Sequence, residues 1–134
     1  MEAKIITSGK RKESVARAVI FNGSGKIKIN KKNYELFHFF DKLRIEEPIK
    51  IYEKIIGKLN IDANISVHGG GAKSQIEAAR LALAKGMVRF SNSKELTRAF
   101  QAYDRNLLVA DVRRKEAYKP GDSKARRHRQ TSYR

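Results

Sequence analysis

Apolar positions recur along this chain with two different periods, and each period points to an element. Lys26, Ile27, Lys28, Ile29 and Asn30 alternate strictly, the mark of a strand with one buried face. Residues 15–21 are small or apolar apart from Arg17 and read as another strand, and Asn22-Gly23 between the two supplies residues at ease with positive φ. This pair is expected to form a hairpin with Ile27 and Ile29 facing inward. Ile61, Ala63, Ile65 and Val67 share one face of a further strand over residues 61–68. After Gly69-Gly70-Gly71 the period changes: Ile76, Ala79, Leu83, Met87 and Phe90 recur at three- and four-residue steps, which predicts the longest amphipathic helix of the chain.

Shorter signals fill the gaps. Dense aromatics over residues 34–40 suit a short helix or a buried strand. Pro48 suits the first turn of a helix through residues 49–56, with Gly57 as its stop. Ser93 can cap a helix over residues 94–104, and residues 107–112 read as a last strand. A strand, a glycine turn and a long helix in succession imply a helix packed across a sheet, hence an α+β or α/β unit.

Composition limits what this unit can be. With 134 residues, 40% of them hydrophobic, there is room for one domain with a modest core. The net charge of +16, from 30 Lys and Arg against 14 Asp and Glu, would make an isolated globule repel itself, and a polyanionic partner is the natural remedy. The charge is unevenly spread. Residues 1–30 hold 7 cations and 2 anions, residues 31–110 hold 14 and 9, and residues 111–134 hold 9 and 3. The middle is nearly ordinary and the ends are basic. The chain therefore divides into a globular domain, residues 1–110, and a basic tail, residues 111–134. No cysteine is present, which removes disulfides and thiolate metal sites. No apolar run is long enough to span a membrane, and residues 1–14 lack the apolar core of a signal peptide.

Two stretches could carry chemistry. In HGGGAKSQ, residues 68–75, three glycines could let backbone N–H groups approach an anion at a helix start, with Lys73 and Gln75 nearby. That signal is weak, and a tight strand-to-helix turn needing glycine for close packing accounts for it better. It is not a P-loop, because Ala72 stands where that motif requires Gly before Lys-Ser. His38, His68 and His128 are scattered without ligand spacing, so no catalytic or metal constellation is expected. The second stretch, DVRRKEAYKPGDSKARRHRQTSYR, is rich in Arg, broken by Pro120-Gly121 and free of apolar periodicity. In isolation it should be disordered, and its forked guanidiniums suit phosphates and bases. Tyr118 and Tyr133 could add stacking.

Taken together, GKRKESVARAVI, GSGKIKIN, HGGGAKSQIEAARLALAKGM and the final 24 residues resemble the universal ribosomal small-subunit protein nine family in its archaeal and eukaryotic form, from about residue 8 to the end. The resemblance implies a compact α+β domain with a four-stranded sheet and a left-handed βαβ crossover, as in the second domain of ribosomal protein five, followed by an extended tail. It implies a cytoplasmic, non-enzymatic constituent of the small ribosomal subunit with no cofactor. The partners would be the 3′ major domain of the ribosomal RNA, neighbouring proteins of the subunit head and peptidyl-site tRNA. On this resemblance Lys10, Arg11, Lys12 and Arg17, then Gly69, Gly70, Gly71, Lys73 and Gln75, then Arg113, Arg114, Lys115, Lys119, Lys124, Arg126, Arg127 and Arg129 bind ribosomal RNA. Arg134, with Tyr133 beside it, contacts tRNA. This chain has Ser74 where many relatives place Gly, and Tyr133 where bacterial relatives have Lys.

Overall fold

In a computed structural model of the chain, which describes residues 3–120 and 125–126, the strand Ile61–His68 lies at the centre of a mixed sheet. Numbered along the chain, the strands are β1 (Ile5–Arg11), β2 (Ser14–Asn22), β3 (Ile27–Ile29), β4 (Lys32–Asn33) and β5 (Ile61–His68). Their spatial order is β1-β2-β5-β3-β4. Only β3 and β5 run parallel, and α1 (Phe39–Ile56) lies in the connection between them. The helices α2 (Ala72–Ser91) and α3 (Lys94–Tyr103) follow β5. The sheet has five strands where four were expected, the extra one being the two-residue β4.

The expected hairpin between residues 15–21 and 26–30 does not form, because β5 is inserted between its two arms. On one side Ala63 pairs with Ile20 of β2, and on the other with Ile27 of β3. The connecting residues arch over the start of β5. The Gly23 N–H donates to the Asn60 carbonyl at 2.9 Å, and Asp62 accepts from the backbone N–H groups of Ser24, Gly25 and Lys26 at 2.8 to 2.9 Å. Three donors hold the Asp62 carboxyl below the usual carboxylate range, with the Lys26 N–H the largest cause. Within this loop the positive φ falls on Gly25 rather than on Asn22 or Gly23. Ile27 and Ile29 nevertheless face inward as the alternation requires. A true two-residue hairpin follows them, with Asn30 and Lys31 both at positive φ between β3 and β4.

Three further expectations are corrected. Pro48 sits inside α1, which starts at Phe39. There it is buried with Ile45, Ile49 and Tyr52, a three- and four-residue stripe whose packing outweighs the missing N–H. Residues 34–40 contain only a 3-10 turn, Tyr34–Leu36, before α1 begins. Residues 107–112 form no strand: a 3-10 turn, Arg105–Leu107, buries Leu107, and the chain beyond has no regular structure up to Lys119. Strand β1 was not foreseen, because its inward residues are Thr7 and Gly9 and give no hydrophobic alternation.

Those two small residues let α2 lie close on the sheet. A Cβ on Gly9 would strike the Ala78 carbonyl, and one on Gly86 would strike Ile20. The Thr7 hydroxyl donates to the Ala82 carbonyl at 2.7 Å within this contact. Burying Ala78, Ala79, Ala82, Leu83 and Met87 against Ala16, Ala18 and Ile20 makes this the centre of the core. Ser93 caps α3 as expected, accepting from the Leu96 N–H at 3.3 Å. The opposite face of the sheet exposes Lys10, Arg17, Lys28, Asn64, Ser66 and His68.

Candidate nucleic-acid interface

The turn between β5 and α2 is built by glycine for two reasons that act together. Gly69 and Gly70 have φ of 79° and 63°, a left-handed conformation that a side chain disfavours. They also pass so near the β1–β2 turn that a Cβ on Gly69 would lie 2.5 Å from the Glu13 carbonyl oxygen, and one on Gly70 would strike the Ser14 hydroxyl. The Ser14 hydroxyl, fully buried, donates to the Gly69 carbonyl at 2.8 Å and shares a 2.8 Å hydrogen bond with Ser74. Gln75 donates to the same carbonyl at 3.0 Å. Ser74 lies in the regular first turn of α2, and its hydroxyl, 3.0 Å from the Gly71 carbonyl, gives its single proton either to that carbonyl or to the Ser14 oxygen. A side chain at residue 74 therefore fits without backbone distortion.

Close packing thus accounts for Gly69 and Gly70, whereas a Cβ added to Gly71 would meet no atom within 4 Å and would face open space. Gly71 immediately precedes α2, and no side chain caps that end. The first N–H groups of a 20-residue helix are therefore available to an anion. Around this end lies an open cleft of about 610 Å³ lined by Arg11, Lys12, Glu13, Gly70, Gly71, Ser74, Arg113, Arg114 and Lys115. Three segments distant in sequence meet here, supplying five cations and one carboxylate.

These cations are not equivalent. Arg11 is mostly buried and held internally: its Nε donates to Glu77 at 2.7 Å, and its Nη1 lies 3.6 Å from Asp111. Glu77 also receives Arg44 at 2.9 Å. Arg113 grips Asp111 with Nε at 2.9 Å and Nη2 at 2.7 Å from Oδ2. The Arg113 side chain and backbone N–H, with Arg11 behind them, hold the Asp111 carboxyl far below the usual carboxylate range. Asp111 thereby fixes the start of the tail beside the cleft. Lys12, at a φ of 52°, projects from the β1–β2 turn and is exposed, as are Arg114 and Lys115. Lys115 also rests over the Tyr118 ring at 4.7 Å.

The remaining expected site residues are spread out. Lys10 and Arg17 lie on the exposed face of the sheet, Arg17 between Ser8 of β1 and Ser66 of β5. Lys73 borders a groove beside Phe40 and Asp41. Lys119 and Arg126 both pair with Glu116, at 3.5 and 2.8 Å. Lys124, Arg127, Arg129, Tyr133 and Arg134 lie outside the described residues. Glu13, Glu77 and Asp111 organise the cleft but were not singled out from the sequence, where an isolated acidic residue carries no signal. Ser14 was visible only as part of the RKES motif. Among the described residues no group of His, Asp or Glu could hold a metal ion, and no helix is long and apolar enough to cross a membrane.

Residues 9–134 match the family model described as ribosomal protein S9/S16. The chain belongs to that family. It is 45% identical to small ribosomal subunit protein uS9 of Methanococcus vannielii, over 96% of each chain. Identity is 47% to the protein of the same name from Thermoplasma volcanium, covering 97% of this chain and 98% of that one, and 45% to that of Desulfurococcus amylolyticus, covering 97% and 92%. Members of the S9/S16 family are structural and not enzymatic components of the ribosome.

Proposed function

We propose that this chain is a constituent of the small subunit of the cytoplasmic ribosome that binds the 3′ major domain of the ribosomal RNA in the subunit head. The observation that carries the reading is the meeting of Lys12, Arg114 and Lys115 with the uncapped start of α2 in one open cleft. Backbone N–H groups and forked or pointed cations there suit a phosphate backbone, and their release of counterions would supply affinity. Residues 1–110 act as the anchoring domain and residues 111–134 as the tail. Support for this division is that Leu107 is the last buried residue among those described, and residues 112–120 are all exposed. Lys10 and Arg17 add contacts from the sheet face. Within the tail, Lys119, Lys124, Arg126, Arg127 and Arg129 follow ribosomal RNA, and Arg134 reaches a phosphate of peptidyl-site tRNA with Tyr133 beside it.

Binding of the full chain to a transcript of the 3′ major domain tests the anchoring role. Log K is expected to fall steeply with log salt, and the pair Lys12→Ala, Arg114→Ala should flatten the slope by about 1.4 to 1.8, roughly 0.7 to 0.9 per phosphate contact. An unchanged slope would remove the cleft from the interface. The tail is tested separately in subunits that have incorporated a chain truncated before Lys124. Their peptidyl-site tRNA affinity should drop by on the order of 1 kcal/mol, about fivefold. Unchanged affinity in normally assembled subunits would refute the tRNA contact.

A further inference from the structure

The most exposed large apolar side chains outside the tail lie far from the basic cleft in character. Leu36 is 68% exposed, Phe39 68% and Phe40 76%, and all three fall within five residues where α1 begins. Phe39 and Phe40 stack edge to face with centroids 5.5 Å apart. Neither ring contributes to the core, so burial in this fold does not explain them. Clustered exposed aromatics of this kind mark a surface that is covered by something else.

Charge distinguishes the kinds of cover. Residues 33–53 hold five anions, Glu35, Asp41, Glu46, Glu47 and Glu53, against three cations, a net of −2 in a chain whose other residues total +18. The three cations are already engaged, Lys42 and Lys50 with Glu46 and Arg44 with Glu77. Glu35 and Asp41 form no ion pair among the described residues. Tyr34 senses the same field: burial first, then Glu35, Glu46 and Glu53, push its phenol up. Three cations border the patch, Lys32 over the Phe37 ring at 5.5 Å and, in the groove beside Phe40, Lys73 and the already paired Arg44. A phosphate backbone brought to Phe39 and Phe40 would face the carboxylates of Glu35 and Asp41, whereas a cationic polypeptide could pair with them.

We propose that Leu36, Phe39 and Phe40, flanked by Glu35 and Asp41, form a docking surface for a basic segment of a neighbouring protein that inserts an apolar side chain among the rings. This surface borders the RNA cleft, since Leu36 and Asp41 share a groove with Ala72 and Gln75 in the first turn of α2, but none of its residues lines the cleft. The aromatic rings supply the buried anchor and the carboxylates select the sign of the partner.

The test uses small subunits assembled with the full chain carrying a photoreactive benzoylphenylalanine in place of Phe40. The expected product is a crosslink to a single protein, mapped by mass spectrometry to a peptide richer in Lys and Arg than in Asp and Glu. The double variant Glu35→Lys, Asp41→Lys, in subunits that have incorporated it, should lower the crosslink yield at least threefold. A crosslink to RNA, to an acidic peptide, or none at all in complete subunits overturns the proposal while leaving the RNA cleft untouched. An unchanged yield in the charge variant overturns the role of the carboxylates. Because Phe39 and Phe40 are exposed in the free protein, Phe39→Ser, Phe40→Ser should keep its melting temperature and yet deplete the crosslinked protein from subunits. Retention of that protein at full occupancy would also count against the proposal.

Discussion

Replacing Gly69 by Ala should be among the most damaging single-methyl changes in this protein, and replacing Gly71 by Ser among the least. At Gly69 the φ of 79° obliges an Ala to adopt the left-handed conformation, which costs about 1 to 2 kcal/mol. Its Cβ would also lie 2.5 Å from the Glu13 carbonyl oxygen. That oxygen is backbone, so it cannot rotate away, and the β1–β2 turn must move with it at a cost of about 1 to 3 kcal/mol. The lower conformational entropy of an unfolded Ala chain returns about 0.4 to 1 kcal/mol. The net loss is then about 1 to 5 kcal/mol, centred near 3. At Gly71 the φ is −93°, no atom lies within 4 Å of the added Cβ, and Ser is a preferred residue at a helix start. Gly71→Ser should therefore leave stability unchanged or raise it by about a few tenths of a kcal/mol. Urea denaturation of the full-length variants, read by far-ultraviolet circular dichroism in moderate salt, measures both. Equal midpoints for the two variants would refute the argument that Gly69 is fixed by its approach to Glu13. Gly69→Ala should also weaken RNA binding at salt where the protein is still folded, because Lys12 rides on the turn that shifts.

Two other perturbations probe parts that shape the site. Asp62 has a lowered folded pKa, so its ionised form contributes stability above the ordinary carboxylate range, near pH 4, and this contribution fades as pH falls through the folded value. Asp62→Asn should accordingly be less stable than the parent at pH 7, with the difference in urea midpoint closing below about pH 4; a difference that persists undiminished would refute a charge-assisted cap. Arg80, which binds Glu47 of α1 and Asp104 after α3, ties the helices together. Because those carboxylates are 33% and 37% exposed and can rehydrate, Arg80→Met should cost about 1 to 2 kcal/mol, below the 3 to 5 of a fully buried pair. A thermal or urea midpoint equal to the parent's would show that the link is immaterial.

What could be read along the chain was whatever rests on periodicity or on a single special residue. The alternation of Ile61, Ala63, Ile65 and Val67 and the helical stripe from Ile76 to Met87 are local consequences of burying one face, and they needed no knowledge of the partner surface. Ser93 and Gly57 marked the ends of helices because capping is settled within one turn. Basic residues at both ends of the chain announced a polyanionic partner.

Tertiary structure decided everything that depends on who lies next to whom. Local pattern cannot tell a hairpin from two strands parted by a third, and β5 entered between β2 and β3 because its Asp62 and the preceding Asn60 receive the arching loop. Strand β1 was hidden because Thr7 and Gly9 are small to admit α2, a property of the contact and not of the segment. In the same way HGGG was open to two readings until Gly69 and Gly70 proved to be packed against Glu13 and Ser14, with Gly71 free at the helix end. Arg11 and Arg113, alike in the sequence as basic residues, were turned inward and outward around Asp111 by folding. The sequence by itself set the net charge and the elements, since both are sums over local residues. Only the fold could gather residues 11–12, 70–71 and 113–115 into one cleft, because that convergence depends on long-range packing that no local window contains.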